Sequence, residues 1–157
     1  LEELQLTQSQ ADEMTKWIKH FLKRYSAVLF ENASGKIQLQ AANGHTFQLC
    51  YLFADGNNHL QFMDLRTKLT LARVNLNDSF HKNADGSIIR GNRINVFSAD
   101  EYYAKADGIT HTRCFALPYA GIQDSDDFFQ VLHDLLDYER VSNPSQLNLR
   151  VDIPLLP

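Results

Sequence analysis

His45-Thr46-Phe47-Gln48-Leu49-Cys50-Tyr51-Leu52-Phe53 is the stretch whose pattern decides the fold. Phe47, Leu49, Tyr51 and Phe53 alternate with Thr46, Gln48 and Cys50. A period of two places the first set on one face and the second on the other, which is the pattern of a strand with one dry and one wet side. Turn residues stand on both flanks, Asn43-Gly44 before it and Asp55 to Asn58 after it, with a further turn at Asn32 to Gly35. Apolar alternation between such turns predicts antiparallel hairpins rather than crossover units.

Toward the C-terminus the alternation continues through Leu60 to Met63 and Lys68 to Leu76. Leu69 and Leu71 are out of phase with Val74 and Leu76, which predicts a bulge near Ala72 or burial on both faces. A polar connection, Asn77 to Gly86, leads to a strand at Ile88 to Phe97 that Gly91-Asn92 interrupts. Ser98 with Glu101 has the form of a capping box and predicts a short helical turn. Asp107-Gly108 then turns the chain into a strand at Thr110 to Leu117, closed by Pro118. Asp124 or Ser125 is placed to cap a helix over Asp126 to Tyr138, whose Phe128, Phe129, Val131, Leu132, Leu135 and Leu136 face inward. Leu147, Leu149, Val151 and Ile153 predict a final strand ended by Pro154.

Toward the N-terminus the period becomes helical. Ala11, Met14, Trp17, Ile18, Phe21, Leu22 and Tyr25 recur every three to four residues and predict a helix from Gln8 to Tyr25, with Thr7 and Gln10 as its capping box. The order of elements gives an α+β fold: an antiparallel, meander-rich β-sheet with two amphipathic helices, one N-terminal and one near the C-terminus, packed on one face. The 157 residues suit one domain, 1–157, because two cores of half that size would each bury too little surface to offset chain entropy.

Hydrophobic residues make up 44% and charged residues 22% of the chain, the range of folding globular sequences rather than of disordered ones. No apolar run is long enough to cross a bilayer, and Leu1 to Gln10 lacks a basic-then-apolar leader, so a cytoplasmic location is expected. Cys50 and Cys114 lie in apolar alternating segments and are expected to be reduced core residues. The net charge of −4 conceals an uneven distribution. Arg66 to Arg93 carries six basic against two acidic residues, whereas Ser98 to Glu139 carries nine acidic against two basic.

Chemistry concentrates in the connections between Ser79 and Asp107. In one reading Asn83, Asp85 and Gly86 shape a turn and the cations are a solvated edge. In another, His81 is a general acid or base, with His111 as the second and Lys82, Arg90 and Arg93 as phosphate ligands, the set that metal-free RNA cleavage needs. Arg73, Lys82, Arg90 and Arg93 are the corresponding candidates for nucleic-acid binding. The six histidines, His20, His45, His59, His81, His111 and His133, include no pair at zinc-ligand spacing, so neither metal nor cofactor is expected. No Gly-rich phosphate loop, nucleophile elbow or CxxC pair occurs, and no strand interleaves exposed aromatics with cations. Asp100, Glu101, Tyr102 and Tyr103, together with Asp126 and Asp127, are candidates for an acidic, aromatic protein-binding surface. A capped turn held on the sheet by one tyrosine accounts for the first four equally well.

From Arg73 to Phe97, RVNLNDSFHKNADGSIIRGNRINVF, the chain resembles an uncharacterised family of small bacterial proteins associated with prophages and genomic islands. The resemblance extends over about Leu69 to Tyr138 and centres on the His-x-Asn-x-Asp-Gly turn at His81 to Gly86. Members of that family often carry histidines where this chain has Arg93 and Asn95, so it departs from the pattern where catalysis would be easiest to argue. The resemblance implies a setting of conflict between bacteria and mobile elements. The function expected is a non-enzymatic binding protein, antitoxin-like or an inhibitor of host defence such as an anti-CRISPR protein, whose acidic surface covers another protein's nucleic-acid site. The alternative is an RNA-cleaving or RNA-binding toxin that uses residues 66–93. Self-association as a structural phage protein is a third expectation.

Overall fold

The computed structural model describes residues 1–152. It contains three α-helices, α1 (Gln8–Lys16), α2 (Ala99–Lys105) and α3 (Phe128–Tyr138). The strands are β1 (Lys19–Phe21), β2 (Tyr25–Leu29), β3 (Ala33–Ala41), β4 (Thr46–Phe53), β5 (Asn58–Asp64), β6 (Thr70–Leu76), β7 (Phe80–Lys82), β8 (Ile88–Arg90), β9 (Arg93–Phe97), β10 (Thr112–Ala116) and β11 (Leu147–Val151). Seven of them form one antiparallel sheet in the order β1-β3-β4-β5-β6-β9-β10. The fold is therefore α+β, and the sheet from β3 to β6 is a continuous meander. β7 and β8 leave the sheet as a separate hairpin, and β11 pairs in parallel with β2.

One face of the sheet is dry. Phe47, Leu49, Leu60, Phe62, Val74 and Ile94 are all at most 1% exposed, and α1 and α3 add Met14, Val131, Leu135 and their neighbours to the same cluster. The bulge lies where the change of phase places it. Phe62 is opposite Ala72 but Met63 is opposite Thr70, so Leu71 is an extra residue, and both Leu71 and Ala72 are buried. The other face of β5, β6 and β9 carries polar side chains.

Several boundaries differ from the expected ones, and the strand expected over Ile88 to Phe97 is two, β8 in the hairpin and β9 in the main sheet. The first helix stops at Lys16, because Lys19 gives its backbone to Arg140 and Ser142 and Phe21 pairs with Leu39. Tertiary pairing overrides the helical period, and Ile18 and Leu22 are left exposed. The cap of α3 is Asp127 rather than Asp124 or Ser125, and it accepts from the Phe129 amide. Lys68 has a positive φ of 61° and belongs to the turn before β6. The final strand runs only from Leu147 to Val151 within the described residues; Ile153 and Pro154 lie outside them. Cys114 is buried and Cys50 half-buried, and neither is in a disulfide. Burial pushes the Cys114 thiol up to about 11. Among the described residues no helix is long and apolar enough to cross a membrane.

Candidate nucleic-acid interface

Two short repeats build the polar face. Arg73-Val74-Asn75 and Arg93-Ile94-Asn95 lie on neighbouring antiparallel strands, so that Arg73 is opposite Asn95 and Asn75 opposite Arg93. Val74 and Ile94 point into the core, which obliges the arginines and asparagines to point the other way. β5 adds His59 opposite Asn75 and Gln61 opposite Arg73. Phe80 and His81 of the β7–β8 hairpin and the segment Ile109 to Thr112 wall this face into an open basin of ≈ 560 Å³. No aspartate or glutamate lines it, although acids outnumber bases 19 to 15 in the chain.

The arginines lack counter-ions. Arg93 is 7% exposed, yet its Nη1 donates only to neutral oxygens, Asn77 Oδ1 at 2.7 Å, Gly91 O at 2.9 Å and Ser79 O at 3.2 Å. Arg73 donates through Nε to Asn75 Oδ1 at 3.1 Å. Among the described residues neither forms a salt bridge. Buried charge is ordinarily paired, so a basin holding two unmatched guanidiniums is prepared for an anion. Burial holds His59 and His81 below the usual histidine value, and nearby cations reinforce this, Arg73 and Arg93 for His59 and Lys105 and Arg93 for His81. Both are neutral at pH 7.

Arg73 sets the direction of a hydrogen-bond chain. Because its Nε can only donate, the Asn75 atom it meets is oxygen. That same oxygen lies 2.6 Å from His59 Nδ1, which must therefore carry its proton and leave Nε2 with a lone pair. Asn75 Nδ2 donates to Asn95 Oδ1 at 3.3 Å, which turns Asn95 Nδ2 toward Thr112 Oγ1 at 3.3 Å and His81 Nδ1 at 3.5 Å. His81 thus carries its proton on Nε2, a buried donor with no partner.

The His-x-Asn-x-Asp-Gly turn docks the hairpin over this face. Asn83 accepts from the Cys114 amide at 2.9 Å and donates to the Cys114 carbonyl at 3.0 Å, closing the free edge of β10 as another strand would. The Ala84 amide donates to Glu101 at 2.9 Å, and Arg113 bridges Glu101 and Asp85 at 2.9 and 3.0 Å. The Ser87 hydroxyl and amide, with Arg113, hold Asp85 far below the usual carboxylate range. Gly86 has φ +89°, a conformation side chains rarely adopt.

The residues singled out by sequence are only partly brought together. Arg73, His81, Arg93 and His111 share the basin. Lys82 alternates away from it and is exposed, and Arg90 lies outside, over the Phe80 ring at 5.1 Å. His111 is not free for acid-base work in its neutral form, because Nε2 accepts from the Thr70 amide at 2.9 Å and Nδ1 donates to the Ile109 carbonyl at 2.8 Å. His111 is thus held at both ring nitrogens, which argues against pairing it with His81 for acid-base work. Glu101 and Tyr102 are 4% and 5% exposed and committed, the one to the docked turn and the other to Glu2 O at 2.7 Å, which removes them from any surface. Tyr103 and Asp100 are exposed. Asp126 accepts from Asn92 at 2.7 Å, and with Asp127, Glu31, Asp55 and Asp78 it lines a separate cleft of ≈ 500 Å³. Among the described residues no three His, Cys, Asp or Glu side chains are placed to hold a metal ion.

Sequence reasoning missed His59, Asn75 and Asn95. The signal was present as the twin Arg-x-Asn at 73–75 and 93–95. It missed Phe80 as well: no single strand interleaves aromatics with cations, but the hairpin sets Phe80, 51% exposed, at the rim of a basin whose cations come from other strands.

A family model matches residues 6–141, from α1 to the end of α3 and beyond, a longer span than the resemblance around the turn. The chain belongs to a family of unknown function, DUF6978. No curated protein and no solved structure matches it. The matched span contains the whole basin.

Proposed function

We propose that the protein binds single-stranded nucleic acid, with a phosphodiester seated over Arg73 and Arg93 and a base stacked on Phe80. The observation that carries this reading is the pair of arginines without carboxylate partners on a wall free of acids. Phosphate is the anion that guanidiniums meet best. Phe80 supplies the aromatic platform that sequence-tolerant binding of single strands uses, and Arg90 on its ring stiffens that platform. Ile109, 78% exposed, adds an apolar rim. Binding is favoured over cleavage because His111 is occupied. The resemblance to proteins of prophages and genomic islands suits an RNA-binding toxin or a protein that sequesters RNA during conflict between hosts and mobile elements. Fluorescence anisotropy with a labelled single-stranded oligonucleotide tests the reading: affinity should fall steeply with salt and drop in Arg73→Gln, whereas salt-independent or absent binding contradicts it.

The acidic cleft favours a second reading, in which the protein is an antitoxin-like or anti-CRISPR inhibitor of a basic partner. Five carboxylates, Glu31, Asp55, Asp78, Asp126 and Asp127, surround the half-buried Phe129 there. Pull-down from a bacterial lysate with wild type and with Asp55→Asn/Asp126→Asn separates the readings. A partner retained by wild type and lost by the variant supports the second, and an unchanged set of partners counts against it.

A further inference from the structure

We infer that His59 makes the basin selective for RNA over DNA by accepting a hydrogen bond from a ribose 2′-hydroxyl. The inference rests on the nucleic-acid reading of the basin and goes beyond it to the class of strand that is bound. Polar groups that face a phosphate must be donors, and the arginines are donors. His59 Nε2 is different. The chain of hydrogen bonds that starts at Arg73 Nε passes through Asn75 Oδ1, and the 2.6 Å contact leaves the proton of His59 on Nδ1, so that Arg73 Nη2, 3.2 Å from the same nitrogen, is a contact and not a hydrogen bond. Nε2 therefore presents a lone pair, has no partner among the described residues, and belongs to a ring that lines the basin.

A strand bound through its phosphates at Arg73 and Arg93 brings its sugars alongside. The 2′-hydroxyl is the group by which a protein tells RNA from DNA, and it is a donor in search of an acceptor. In DNA that donor is missing and the lone pair stays with water, so the ribose gains a contact that the deoxyribose cannot make. Desolvation and the cations Arg73 and Arg93 keep the ring neutral, which preserves the lone pair, while Asn75 fixes which nitrogen bears it. Arg73 and Asn75 are thus positioning residues for His59 as well as parts of the phosphate seat.

The test compares three labelled strands of one base sequence: RNA, DNA and 2′-O-methyl RNA, each titrated by anisotropy with wild type and with His59→Leu. Wild type should bind the RNA about tenfold more tightly than either other strand, the change a single well-placed hydrogen bond produces. His59→Leu should abolish the ratio between the strands, so that the variant binds RNA and DNA equally. Equal affinities of wild type for RNA and DNA, both sensitive to salt, overturn the inference while the nucleic-acid reading stands. Absence of salt-sensitive binding to all three strands overturns that reading itself. The ¹⁵N shifts of the imidazole give a check independent of any ligand: His59 protonated on Nδ1 is required, and a proton on Nε2 overturns the inference.

Discussion

Arg93 shows how one side chain ties stability to recognition. Its guanidinium crosslinks Asn77, Ser79 and Gly91 at the base of the hairpin, so Arg93→Gln is expected to weaken both folding and binding. Arg73 is the cleaner probe, since its hydrogen bond is to Asn75 on its own strand. Arg73→Gln should reduce affinity for a single strand about tenfold and flatten the log-log salt slope by about 0.7, the share of one phosphate contact. Phe80→Ala should weaken binding roughly tenfold with the salt slope unchanged, because stacking releases no counterions. The two variants thus separate charge from stacking. Protonation adds a further check. His59 and His81 titrate below the usual histidine value, so acidification through that lowered range adds positive charge beside Arg73, Arg93 and Lys105, with Glu101 the acid that opposes it at His81. DNA affinity should rise as pH falls, and the preference for RNA should shrink as His59 loses its lone pair; a preference that grows with acidification contradicts this. At this scale the sequence is half legible. Arg73, His81 and Arg93 are visible as charge in a connection-rich region, but His59 joins them only through the β5–β6 register, which a bulge at Leu71 shifts.

At the scale of elements, the β7–β8 hairpin is held by side chains more than by packing. Asn83 is its anchor. Asn83→Ala removes three hydrogen bonds, one of them to Ser87, and strands the amide and carbonyl of buried Cys114, so a loss of about 2 kcal/mol is expected in urea denaturation. The exposed edge of β10 should also make the variant prone to self-association, visible by light scattering. Loss of the α3 cap in Asp127→Ala should cost about 1 kcal/mol by the same assay. The turn was legible as a turn from Asp85-Gly86 alone. That Asn83 completes a sheet edge was not, because the edge lies 31 residues away along the chain. The helix read over Gln8 to Tyr25 fails for a related reason: Trp17, Ile18 and Phe21 keep the helical period, but β3 and the segment after α3 compete for the same backbone. Local pattern specifies where α1 starts, through its capping box, and distant partners decide where it stops.

At the scale of the whole molecule, Lys19 and Glu139 form a fully buried pair at 3.8 Å. Lys19 Nζ donates to three carbonyls and lies over the Phe47 and Phe62 rings, while the Glu139 carboxylate oxygens have no hydrogen-bond partner among the described residues. Burial raises Glu139 to about 7 against the attraction of Lys19, and lowers Lys19 to about 8 against that of Glu139. The raised carboxyl stabilises the fold below its unfolded value and loses that contribution as pH rises to about 7. The lowered ammonium contributes above its unfolded value and loses that contribution as pH falls to about 8. The contribution of the pair to stability is thus lowest in the neutral range between the raised carboxyl and the lowered ammonium. Urea titrations followed by Trp17, the one tryptophan, should show a trough there that Lys19→Met/Glu139→Leu removes; a double variant with the same trough contradicts the assignment. The architecture around this pair was legible from strand alternation and helix period. The basin was not, because it is assembled from three strands, a hairpin and a loop whose polar residues look like wet faces one at a time. Its role as a nucleic-acid site is the central claim, and a ¹H–¹⁵N NMR titration with single-stranded RNA of about ten nucleotides, the length one such site engages, tests it most directly. Shifts should cluster at Arg73, Asn75, Phe80, His81, Arg93 and Asn95; shifts confined to the acidic cleft at the start of α3, or none, contradict it.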